Sequence, residues 1–189
     1  NYYCLVTGLP ELSLEDGKLS YTVSNFKTEI YPQLSKADKK LVDMFYLKFD
    51  NRNLLTLLKD KEASVDTSLG NYSADELLSV IASIKEETAP DKKFPAYFYE
   101  FAELYLNTPD EERWGLEDKL HGFYYNHAMK SGNPFVSAWF ELNLDVNNIL
   151  AAMTARKYKM EVAKVPVGEN LVAEALRSSN ARDFGLADD

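Results

Sequence analysis

Phe45-Tyr46-Leu47-Lys48-Phe49-Asp50-Asn51-Arg52-Asn53-Leu54-Leu55 recurs 95 residues further along as Phe140-Glu141-Leu142-Asn143-Leu144-Asp145-Val146-Asn147-Asn148-Ile149-Leu150. The leading aromatic, Asp50 and Asp145, Asn53 and Asn148, and the aliphatic pairs Leu54-Leu55 and Ile149-Leu150 all fall in register. Downstream, Leu58 matches Met153, and a glycine introduces another apolar segment in each copy, Gly70 in the first and Gly168 in the second. Read locally, the unit predicts a helix that ends, an Asp that caps the next one, an Asn three positions into it that bonds locally, and an apolar pair that packs inward. Two such helical hairpins in one chain predict an all-α protein of two related lobes, placed at 1–92 and 93–189.

The rest of the chain supports the same fold class. Val23, Phe26, Ile30 and Leu34 share one helical face, with Pro32 weakening its last turn. Ser35 with Asp38, and Ser73 with Glu76, read as N-caps ahead of apolar periodic segments. The second of these helices should end before Pro90. Tyr97, Phe98, Phe101, Leu104 and Tyr105 follow at helical spacing. Thr108 and Pro109 then read as an N-cap and first helical residue, with the helix running to Gly132. Pro134 starts the next, whose apolar residues are Phe135, Ala138, Trp139 and Leu142; Asp145 starts another with Ile149, Leu150 and Met153. A final apolar pattern, Leu171, Val172, Ala175 and Leu176, follows Gly168. Residues 1–9 fit a strand or a buried helix equally well.

Composition narrows the function classes. The chain has 189 residues, 46% of them apolar, and a net charge of −9. Glycine and proline together make up about 8% of it, against the roughly 12% of average usage, which disfavours a turn-rich all-β fold. Acidic residues outnumber basic ones in both halves, so no basic face for nucleic acid is expected. No apolar run reaches membrane-spanning length and no signal peptide opens the sequence, which predicts a cytoplasmic chain without a transmembrane segment. The lone Cys4 can form no internal disulfide and reads as a buried, inert thiol.

Motifs for chemistry are missing. His121 and His127 are six residues apart and lie on opposite sides of a helix, which no two-histidine metal face permits. No Gly-rich phosphate loop, nucleophile elbow or metal motif occurs. Neither catalytic nor metal nor cofactor-binding residues are therefore assigned, and no cofactor is expected. Glu100, Glu103, Asp110, Glu111, Glu112, Glu117 and Asp118, opposed only by Arg113, read as a solvated acidic face, with a partner-docking surface as the alternative. Arg156, Lys157, Lys159 and Lys164, opposed only by Glu161, form the one basic patch, explained by a helix C-terminus or, through Arg156, Lys157 and Lys159, by an acidic protein partner.

The repeated unit resembles the lobe of the C/d-type central-stalk adaptors of V-type ATPases, an all-helical family. Members carry an aromatic or leucine, then Asp-x-x-Asn, then two aliphatics at the head of a helix, matched here by Asp50, Asn53, Leu54 and Leu55 and by Asp145, Asn148, Ile149 and Leu150. The run Ala151-Ala152-Met153-Thr154-Ala155-Arg156-Lys157-Tyr158 is similar to the basic end of that family's helix. The opening Tyr2-Tyr3-Cys4-Leu5-Val6-Thr7-Gly8-Leu9-Pro10 resembles more closely the start of an uncharacterised bacterial family associated with V-type ATPases. The resemblance implies a non-catalytic adaptor that couples the rotor stalk to the membrane proteolipid ring. Such a protein would sit in the cytoplasm, peripheral to the inner face of the cell membrane; the alternative is a free-standing helical scaffold or regulatory protein. The family has three lobes closed into a funnel, whereas two copies occur here. The chain is thus expected to be either a piece ending before a third lobe or a reduced form.

Overall fold

A computed structural model describes residues 2–186, apart from 12, 14, 16, 19 and 20. The regular structure of the described chain is eight α-helices with short 3-10 and π turns in some of the connections, and no strand occurs among the described residues. The short α1 (Tyr3–Thr7) is pinned to residues 35–38 by Tyr2, whose hydroxyl donates to Asp38 Oδ2 at 2.6 Å and accepts from the Ser35 amide at 2.8 Å. That places a helix in the segment the sequence left open. Cys4 on it is exposed, not buried, because α1 lies on the surface.

The expected helix around Phe26 is broken in three. An α turn (α2, Val23–Asn25) passes into a π turn (Phe26–Ile30) and a 3-10 turn (Tyr31–Gln33). Pro32 has no amide hydrogen to continue an α ladder, so the chain tightens there. The 24-residue α3 (Lys36–Lys59) then starts at Ser35, whose hydroxyl accepts from the Asp38 amide, and α4 (Ala74–Lys85) starts at a complete capping box of Ser73 and Glu76. α5 spans Ala96–Asn107.

Thr108 closes α5 instead of opening the next helix. Its hydroxyl turns back to the Leu104 carbonyl at 2.7 Å, and Pro109 leads into a 3-10 turn (Asp110–Gly115) before α6 (Leu116–Met129). Gly132 takes the left-handed conformation, φ 76°, that frees the chain to turn. α7 (Pro134–Lys157) has Asn133 as N-cap and Pro134 at its first position, and α8 (Leu171–Ser178) is capped by Asn170.

Apolar residues from both sides of residue 92 share one core. Leu54, Leu57, Leu77, Val80 and Ile81 meet Phe98, Phe101 and Leu120 there. Aromatic rings fill the seams: Tyr72 lies 4.9 Å from Phe94 and 5.7 Å from Phe98, while Phe45 and Tyr124 approach Phe140 at 5.1 and 5.4 Å. A smaller cluster of Ala152, Leu176 and Phe184 joins α7 to α8 and the chain's last described residues.

Candidate functional site

Both copies of the repeated motif lie inside unbroken helices. Neither Gly nor Pro interrupts Lys36–Lys59, and in Pro134–Lys157 the one Pro is at the start, so nothing stops the helix before Asp50 or Asp145. Asp50 and Asp145 are therefore not N-caps of new helices. Their carboxylates reach sideways to the loop that returns toward the next helix.

In the first copy the fully buried Asp50 accepts from the Asn71 amide through both oxygens, each at 2.9 Å, and from the Tyr72 amide at 3.1 Å. These two donors immediately precede the Ser73 cap of α4. Asn53 donates from Nδ2 to the Asp66 carbonyl at 2.8 Å, fixing the same loop further back. At Gly70 the loop runs against the carboxylate so closely that an added Cβ would collide with Asp50 Oδ1.

The second copy makes the equivalent clamp with altered partners. Asp145 Oδ1 accepts from Asn170 Nδ2 at 2.6 Å, and Asn170 in turn caps α8 by accepting from the Ala173 amide at 3.0 Å. Asn148 pairs reciprocally with Val167, donating to its carbonyl and accepting from its amide, both at 2.8 Å. Arg177 adds bonds to the Pro166 and Gly168 carbonyls at 2.8 and 2.6 Å. Gly168 sits at φ 79°, where a side chain would be strained. The aliphatic pairs diverge: Leu54 and Leu55 are buried, whereas Ile149 is half-buried and Leu150 is exposed, contrary to the inward packing expected of both.

A cleft of about 720 Å³ opens beside the first clamp, lined by Lys27, Tyr31, Asp43, Tyr46, Tyr72 and His127 among others. Lys27 Nζ crosses it 4.4 Å above the Tyr46 ring and donates to the Leu69 and Gly70 carbonyls at 2.8 and 2.7 Å. Burial pulls the Lys27 ammonium below its ordinary pKa, against the pull of Asp50 and Asp43. Burial also pushes the Tyr31 hydroxyl up to about 12, helped by its 2.7 Å bond to Asp43, whose own carboxyl is raised by burial. Asp50 is raised to about 6 by burial; the Asn71 and Tyr72 amides and Lys27 hold it from rising further. The carboxylate does not line the cleft, and its oxygens are taken up by backbone donors. The Asp50 side of this arrangement secures the loop from Gly70 to Tyr72 against α3.

The other sequence candidates separate. His121 is exposed, and His127 is half-buried with its ring 5.3 Å from Tyr97, burial lowering its pKa. No group of three His, Cys, Asp or Glu side chains among the described residues could hold a metal ion. The seven acidic residues from Glu100 to Asp118 are all exposed. Of the basic patch, Lys157 and Lys159 are exposed, but Arg156 is half-buried: it donates to the Arg182 carbonyl at 2.8 Å and stacks 3.7 Å over Phe184. Sequence reasoning missed Lys27 and Asn170, whose partners lie 42 and 25 residues away. The signal for both was the glycine that follows each long helix, because it marks where a loop passes close to one.

The chain belongs to the DUF2764 family, proteins of unknown function, whose family model matches residues 1–189. No curated protein and no solved structure matches it. No described helix is long and apolar enough to cross a membrane.

Proposed function

We propose that this protein is a non-catalytic helical adaptor of a rotary V-type ATPase, coupling the central rotor stalk to the membrane proteolipid ring. The observation that carries the reading is the repeated clamp: Asp50 and Asn53 on α3, and Asp145 and Asn148 on α7, fix the loop after each 24-residue helix. The same residues carry the sequence resemblance to the lobe of the C/d-type adaptors. A helix whose return loop is bonded to it at mid-length resists bending and sliding, which suits an element that passes torque without chemistry of its own. Lys157 and Lys159, exposed at the end of α7, are the side chains offered to an acidic rotor partner. Association should weaken with salt and on Lys157→Glu plus Lys159→Glu. The test is recovery of the tagged protein from native membranes under conditions that keep the ATPase assembled. Rotor and ring proteins should come with it; recovery without either would replace this reading with that of a free-standing scaffold.

A further inference from the structure

α7 is apolar on two opposite sides. Val136, Phe140, Leu144 and Ala152 face the core. A second row, Phe135, Trp139, Leu142, Val146, Leu150 and Met153, runs down the other side of the whole helix, each residue between 46% and 68% exposed. Steps of three and four residues keep the row on one stripe. On α3 the residues 95 positions earlier are Met44, Leu47, Asn51, Leu55 and Leu58, corresponding to Trp139 through Met153. There the row is covered by α5 and α6: the Tyr97 hydroxyl donates to Asn51 Oδ1 and the Tyr124 hydroxyl to the Met44 carbonyl, each at 2.7 Å. The matching row on α7 has no such cover among the described residues.

We infer that this row is a self-association surface, on which α7 of one copy packs antiparallel against α7 of a second copy about a two-fold axis beside residue 144. The register follows from the spacing. Phe135 meets the second copy's Met153, Trp139 meets Ile149 and Leu150, and Leu142 meets Val146, so every layer is apolar on both sides. The area is of the right order: at exposures between 46% and 68%, the six residues offer at most about 600–700 Å² per copy, so covering both rows fully would reach the lower part of the roughly 1,200–2,000 Å² of stable interfaces. Charge selects the direction. A parallel pair would bring the basic ends at Arg156, Lys157 and Lys159 together, whereas the antiparallel pair holds them about 40 Å apart and opposes the helix dipoles. Asp145, beside the axis, is turned toward Asn170 and so does not face its symmetry mate.

This inference goes beyond the adaptor reading and does not rest on it. Sedimentation velocity over a wide dilution series should show a monomer–dimer equilibrium. Leu142→Glu and Val146→Lys, each at an exposed position, should separately weaken the dimer about 100-fold or more by burying an unpaired charge in two symmetric layers. Mixing the two variants should restore association, because the carboxylate introduced in one copy then faces the ammonium introduced in the other. An independent measurement uses Asn143→Cys in a Cys4→Ser background, which should give a covalent dimer on mild oxidation. A chain that stays monomeric at all concentrations, a dimer indifferent to both charges, or a mixture that fails to reassociate would overturn the proposal.

Discussion

Asp50 is a carboxyl group whose surroundings favour its neutral form. Its ordinary pKa is 3.8 and burial raises it to about 6 in the folded chain. A raised acid stabilises the fold fully below the lower value and loses that contribution as pH rises through the higher one. Unfolding free energy should therefore fall by about 2–3 kcal/mol from this group between pH 4 and pH 7. Asp50→Asn, neutral at every pH, should remove that part of the slope, and urea denaturation of both proteins across the range would measure it. An unchanged pH difference would mean that Asp50 is ionised throughout and that the two amides and Lys27 outweigh burial. The residue itself was legible in the sequence through its repeat. Its partner was not, because the amides it binds lie 21 and 22 residues on, beyond any rule of local capping.

The two hairpins offer an internal comparison at the scale of the element. Asn148 both donates to and accepts from Val167, while the bond fixing Asn53 to its loop is a single donation to Asp66. Asn148→Ala should then cost about 2–4 kcal/mol and Asn53→Ala about 1–2 kcal/mol, by loss of buried hydrogen bonds. Amide exchange at Val167 should accelerate in the first variant and not in the second; equal costs with an unmoved Val167 amide would show that the clamp does not hold the loop. The helix starts at Ser35, Ser73 and Pro134 were legible because capping chemistry is local. Splitting α3 and α7 at their Asp residues failed for a physical reason. Asp favours a cap only where the preceding helix has a cause to stop, and neither helix contains one. Which side of α7 faces inward was not legible: Phe135, Trp139 and Leu142 are exposed while Val136 and Phe140 are buried. A helix apolar on both sides gives no periodicity from which to choose between them.

At the scale of the whole molecule, Arg156 ties the last described segment to α7 through the Arg182 carbonyl and the Phe184 ring. Arg156→Ala should raise hydrogen exchange over residues 179–186 while Lys157→Glu leaves it unchanged. That contrast separates the structural member of the basic patch from those free to meet a partner. The central claim is that a stiff body, built from two clamped hairpins, transmits rotation without catalysing anything. Its most direct test is ATP-driven ion pumping, measured beside ATP hydrolysis in membrane vesicles from cells lacking this protein. The adaptor role predicts that hydrolysis continues while pumping is lost, and that the full-length protein added back restores pumping. Pumping that is undiminished in its absence would contradict the account.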